Sequence, residues 1–178
     1  MYRKILDFLF QLIAVRQYLI FTGMFFVLTA LCLYILDVQL RPQGCGDMIS
    51  LELLFTKSAM SDFLGSCGED GVRAHLILLW VDYIFVIAYV GFMANLLGSL
   101  LRKIHYERAL TLFSIPIIAG VLDFIENTLL LYQLQNIDKL SGALVFITSI
   151  IALVKLILIV IAIVLILYFL FSKKPAQS

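Results

Sequence analysis

Residues 143–171 read ALVFITSIIALVKLILIVIAIVLILYFLF, and this run decides the fold. Its one charged residue is Lys155. At about 1.5 Å per residue, a helix of this length exceeds the ~30 Å hydrocarbon core of a bilayer. Working back toward the N-terminus, three more runs meet the same test: 18–40, 75–101 and 109–133. Amides in hydrocarbon must be paired within their own segment, and runs of more than about 20 residues overshoot the ~10-residue strands of a membrane barrel. The sequence therefore predicts an all-α integral membrane bundle of four transmembrane helices, a single membrane domain over 1–178.

Composition agrees with that assignment. The chain is 63% hydrophobic and 14% charged, whereas a soluble domain averages about 45–50% and about 25%, so no water-facing fold of this size could hide its apolar side chains. Basic residues gather in short clusters at segment ends and form no basic face, which excludes nucleic acid as a partner. Membrane lipids are the expected surroundings. At the N-terminus Arg3 and Lys4 precede an apolar stretch, as in a secretory leader, but Asp7 interrupts it and Arg16 follows without a small-x-small cleavage site. Residues 4–16 read instead as a short interfacial helix with Leu6, Leu9 and Ile13 toward lipid.

Arg3, Lys4, Arg16, Arg102, Lys103, Arg108, Lys173 and Lys174 fall on one side of the spans. The other side carries Arg41, Lys57, Arg73 and Lys139, diluted by Asp47, Glu52, Asp62, Glu69, Asp70 and Asp138. The basic excess predicts a multi-pass protein of the cell membrane with both termini cytoplasmic. Tyr18, Tyr106 and Tyr168 at the inner ends, with Tyr34, Trp80 and Tyr132 at the outer ends, fit the interfacial preference of amphipathic rings. Tyr83 and Tyr89 lie within the second span, where Tyr83 is expected to reach for outer headgroups. In the outer loop, 41–74, the alternation of Ile49, Leu51, Leu53 and Phe55 predicts a short extended piece, followed by a helical turn or two capped by Ser58.

Cys45 and Cys67 share that outer loop, which faces an oxidising compartment in a bacterium, so a disulfide is expected, with two free thiols as the alternative. Cys32 reads as an apolar packing residue of the first span. The absence of a Cys-x-x-Cys pair argues against a quinone-linked, disulfide-generating oxidoreductase. His75 and His105 fall at opposite membrane faces as interfacial residues, which argues against paired haem ligation. No cofactor is assigned.

Ionisable groups inside a span cost about 2.5–3.5 kcal/mol each near its centre, so they need partners or water. Asp82, Asp123, Glu126 and Lys155 qualify, while Asp37 sits at an outer end. Counted along the helix rise, they lie outward of the midplane by roughly 8, 2, 7 and 3 Å respectively, one shared layer from three helices. Asp123, Glu126 and Asn127 share a helical face, as do Asp82 and Tyr89. Pro116 and Gly120 precede them, with a kink expected at Pro116, and Gly91, Ala94 and Gly98 form a small-residue stripe suited to close helix packing. Three carboxyls around one ammonium exceed a structural pair, so at least one should hold a proton or bind a cation. Oxygen donors alone would suit Mg²⁺ or Ca²⁺ better than zinc. The structural alternative is that Lys155 pairs with one carboxylate and merely fixes which helices are neighbours.

The segments Leu51-Glu52-Leu53-Leu54-Phe55 and Gly68-Glu69-Asp70-Gly71, the latter read as a turn, precede Asp82-Tyr83-x-Phe85 with Tyr89 and then Asp123-x-x-Glu126-Asn127. Together they resemble uncharacterised small bacterial four-helix membrane proteins carrying Asp-[Tyr/Phe]-x-Phe-x-x-x-Tyr and Asp-x-x-Glu-Asn motifs. The resemblance implies that the polar layer and the outer loop form one unit, and it implies no reaction. The functional expectation is an outward-facing polar cavity that binds a cation, a proton or a polar lipid headgroup. Asp82, Asp123 and Glu126 would be ligands or proton acceptors, oriented by Tyr89 and Asn127, with Lys155 balancing charge and the loop as a lid. Two alternatives stand beside it. One is an intramembrane enzyme on a lipid or prenyl substrate with Asp123 or Glu126 as general base. The other is an accessory protein whose polar layer meets a partner membrane subunit or a second copy of the chain.

Overall fold

A computed structural model of the chain describes residue 4 and residues 16–101 and 106–172. All but the two ends of the interfacial helix expected over 4–16 lies outside the described residues, as do Arg102, Lys103, His105, Lys173 and Lys174. The described chain forms five α-helices: α1 (Arg16–Leu40), α2 (Met48–Glu52), α3 (Lys57–Leu101), α4 (Tyr106–Gln135) and α5 (Gly142–Phe171). A 3-10 turn, Ile137–Lys139, joins α4 to α5. Among the described residues there is no strand. The helices α1, α3, α4 and α5 are each long and apolar enough to cross a membrane, so the all-α membrane fold read from the sequence holds.

The outer loop departs from expectation because it is largely helical. Residues 49–55 are not extended. Met48–Glu52 is a helix capped by Asp47, whose carboxylate accepts from the Ser50 amide at 2.8 Å. Helix then resumes at Lys57, with Thr56 rather than Ser58 accepting from the Ala59 amide at 3.2 Å. It continues to Leu101 with one break at Gly68 (φ 62°, ψ −173°), a backbone state that only glycine enters cheaply. The expected four-residue turn is thus a single glycine, since Glu69, Asp70 and Gly71 are already helical. Phe55, between α2 and α3, takes φ 50°, and its amide donates to the Ser149 hydroxyl on α5 at 3.1 Å. That bond pins the loop to the last helix.

A disulfide between Cys45 and Cys67 encloses α2 and ties it to the first part of α3. Gly71 makes this approach feasible, because a Cβ there would meet Cys67 Cβ at 2.6 Å and Cys45 Sγ at 3.1 Å. Beneath the bridge Leu51, Met60, Leu79, Leu130 and Val145 form a core that holds α2 against α3, α4 and α5. A second core gathers Leu97, Leu101, Phe113, Ala162 and Ile166.

The helices α3, α4 and α5 pack on one another as a triangle, whereas α1 packs mainly on α3. Gly120 sets the α3–α4 spacing, since a Cβ there would fall 2.3 Å from Val90 Cγ2. The small-residue stripe is only partly used: Ala94 is fully buried, but nothing lies within 4 Å of a Cβ at Gly91. On α1, Phe26 stacks against Phe85 and Phe92 with ring centres 5.7 and 5.3 Å apart. Thr29 satisfies its hydroxyl on the Phe25 and Phe26 carbonyls, as a helix in lipid requires. Most of α1 is exposed and apolar, and Cys32 lies on that exposed surface, which corrects its reading as a packing residue. Because α1 leans on α3 and not on α5, a cleft opens between α1 and α5 with α3 as its floor.

Candidate functional site

Lys155 lies about 20 Å along α5 from Gly142, so its ammonium is deep in the bundle. Three carboxylates ring it: Glu52 Oε2 at 3.1 Å, Asp123 Oδ1 at 3.1 Å and Glu126 Oε2 at 2.7 Å. The first two are hydrogen bonds, and the Glu126 contact is a close ion pair outside hydrogen-bond alignment. Tyr89 donates its hydroxyl to the second Asp123 oxygen at 2.9 Å. Asn127 Nδ2 donates to Asp82 Oδ2 at 2.6 Å, which places the fourth carboxyl beside the ring. Side chains from α2, α3, α4 and α5 therefore meet in one network. Glu126 and Asn127 are fully buried, and Glu126 Oε1 and Asn127 Oδ1 have no hydrogen-bond partner.

Glu52 is the member that sequence reasoning missed. It counted there as outer-loop charge and as part of the Leu51-Glu52-Leu53-Leu54-Phe55 segment of the resemblance but not as a site residue, although a carboxylate inside that apolar segment carries a signal of burial. Burial pushes the Glu52 carboxyl above its ordinary value of 4.5, against the pull of Lys155. One ammonium shared among three carboxylates cannot fully offset the loss of water around each. The same ammonium fills the centre of the ring, the position a hard cation would need, so the Mg²⁺ or Ca²⁺ reading loses its place among Glu52, Asp123 and Glu126.

Several neighbours serve packing. Tyr83 does not reach for headgroups; its hydroxyl lies 2.9 Å from Thr128 Oγ1 and stitches α3 to α4. Gln133, a residue the sequence did not single out, donates to Thr148 Oγ1 at 2.9 Å and does the same between α4 and α5. His75 is not interfacial but buried, with Nδ1 2.8 Å from the Gly71 carbonyl and 3.9 Å from Cys45 Sγ. The two sulfurs beside it are bonded to each other, so this Cys-Cys-His group offers no thiolate to a metal. Asp37 pairs with Arg41 at 3.3 Å near the end of α1.

The cleft between α1 and α5 has a volume of about 620 Å³, within the ~300–1,000 Å³ range of small-molecule sites. Its walls are apolar, including Phe26 and Leu33 on α1, Phe92 on α3, and Leu156, Ile159 and Ile163 on α5. Asp37 and Asp47 stand toward one end, and Glu52, Asp82, Tyr89, Asp123 and Lys155 form its polar section. From Lys155 to Leu167 the apolar part follows α5 for about 18 Å, close to the ~15 Å depth of one leaflet. Glu126 and Asn127 do not line the cleft and stand behind the residues that do.

Fold and site together define a class: a polytopic all-α membrane protein with a charged network buried between its helices. Comparison with protein families, curated proteins and solved structures finds no match.

Proposed function

We propose that this protein binds an amphiphile within the membrane, its apolar tail in the α1–α5 cleft and its polar head at the Asp82–Asp123–Lys155 layer. One observation carries the proposal: a trough of apolar side chains ends on a buried network of four carboxyls and one ammonium. An apolar trough open to lipid is filled by acyl chains without any polar group, so the charged end is what gives it selectivity for a head. Of the three ligands the sequence left open, a lipid-like headgroup fits best, because a bare cation or proton has no use for the tail section. In this proposal both termini are cytoplasmic, and α2 closes the outer end of the cleft. The loop and the polar layer then act as one unit, as the resemblance to small bacterial membrane proteins implies, and the Glu52–Lys155 pair supports that reading.

The test is native mass spectrometry of the protein in a non-ionic detergent, comparing wild type with Ile159→Trp, which fills the cleft wall. Wild type should retain a small amphiphile that the variant loses. Retention of nothing by wild type, or equal retention by both, would defeat the proposal. Recovery of a second polypeptide or a second copy seated in the cleft would favour the accessory-subunit reading instead.

A further inference from the structure

We infer that the head accepted by the cleft is a positively charged amine, making the occupant a long-chain amine dissolved in the membrane; this rests on the amphiphile reading above. Five acidic side chains line the cleft, Asp37, Asp47, Glu52, Asp82 and Asp123, against one cationic one, Lys155. Arg41 offsets Asp37 at the rim, and deeper in a single ammonium, Lys155, is shared by Glu52 and Asp123, with Asp82 outside its ion pairs. The Lys155 ammonium is closed to an anionic head, since Glu52, Asp123 and Glu126 already surround it. A phosphate or carboxylate head would therefore meet acceptors and no free cation, and like charges in a low dielectric repel strongly.

Asp82 is the acceptor open to the head. It lines the cleft, and Asn127 engages only one of its two oxygens. Behind it Glu126 is fully buried, and its Oε1 has no hydrogen-bond partner. An ammonium brings three donors and no acceptor, which complements a lining of acceptors, whereas a hydroxyl brings one donor and no charge. Asp47, which has no ion pair among the described residues, adds a further acceptor to the lining.

Hexadecylamine, hexadecanol and palmitate share a tail and differ in the head, so they separate the contributions. Each is titrated by native mass spectrometry against the full-length protein in a non-ionic detergent, with Asp82→Asn measured alongside. The amine should bind at least about tenfold more tightly than the alcohol, with palmitate weakest, and raising the ionic strength should weaken only the amine. In Asp82→Asn the amine should lose most of its advantage over the alcohol. Equal binding of all three probes would overturn the amine inference and leave the amphiphile reading standing, and tighter binding of palmitate would do the same. Binding of none would defeat both. The head preference is read on wild type alone, so the inference remains falsifiable if Asp82→Asn fails to fold.

Discussion

Lys155→Met removes the common partner of three buried carboxyls while keeping a long unbranched side chain in place. Lys155 is 4% exposed and its three partners lie within 3.1 Å, so its ammonium is the counter-charge they share. Breaking a buried pair by deleting one partner costs about 3–5 kcal/mol. For a chain of this length each kcal/mol moves the melting temperature by roughly 2–4 °C, giving an expected fall of roughly 6–20 °C. Glu126→Gln should behave differently, because Glu52 and Asp123 still face the ammonium and one source of acid crowding is gone. A change within about 1 kcal/mol is expected there. The assay is gel filtration with fluorescence detection after stepwise heating of the detergent-solubilised protein. Adding Glu52→Gln and Asp123→Asn to Lys155→Met should recover most of the loss. A Lys155→Met protein melting within about 2 °C of wild type would refute this account of the network, as would Glu126→Gln proving equally damaging.

Four further outcomes are expected. Glu52 has a raised value in the folded state, so its contribution is full below the ordinary 4.5 and is lost as pH rises through the folded value; melting curves from about pH 5 to about pH 8 should decline more steeply for wild type than for Glu52→Gln, and parallel slopes would contradict it. Gly120→Ala should cost about 1–3 kcal/mol, because the new Cβ meets Val90 Cγ2 at 2.3 Å, and Val90→Ala should relieve it; an unchanged melting point would count against the close α3–α4 contact. In a Cys32→Ser background, a cysteine at Lys139 should react with an impermeant reagent on intact cells and one at Ser172 only after permeabilisation, the reverse pattern overturning the proposed topology. Non-reducing mass spectrometry should recover Cys45 joined to Cys67, and reduction should cost about 3 kcal/mol by freeing the enclosed loop; two alkylated thiols in the untreated protein would remove this brace on α2.

The spans were legible because about 20 apolar residues in a row leave a chain few choices in lipid. The shared depth of Asp82, Asp123, Glu126 and Lys155 was legible from the helix rise alone, since depth needs no knowledge of which helices touch. Glu52 was hidden for a specific reason. Five residues of helix are too few for a 3.6-residue period to show, so Ile49, Leu51, Leu53 and Phe55 imitate the alternation of a strand. His75 was misplaced because its environment depends on the Gly68 break and on Cys45, thirty residues earlier in the chain. The position of α1 was also out of reach. A helix apolar on every side carries no stripe to say which neighbour it prefers, and here aromatic stacking on Phe85 and Phe92 decides it.

The order in which the network's members are synthesised has a consequence for assembly. The fourth helix carries Asp123, Glu126 and Asn127 and is the least apolar of the four candidate spans, while its counter-charge lies on the last and most apolar one. Two carboxyls near the centre of a span each cost about 2.5–3.5 kcal/mol to insert, and at that moment the ribosome has yet to deliver Lys155. The nascent fourth helix can lean only on the third, through Tyr89 to Asp123 and Asn127 to Asp82. The fifth helix, apolar enough to carry a lysine in by itself, then completes the charge balance for the helices made before it. A chain cut short ahead of residue 142 would expose uncompensated acid to lipid, so its own electrostatics would mark it as unfinished to the machinery that clears incomplete membrane proteins.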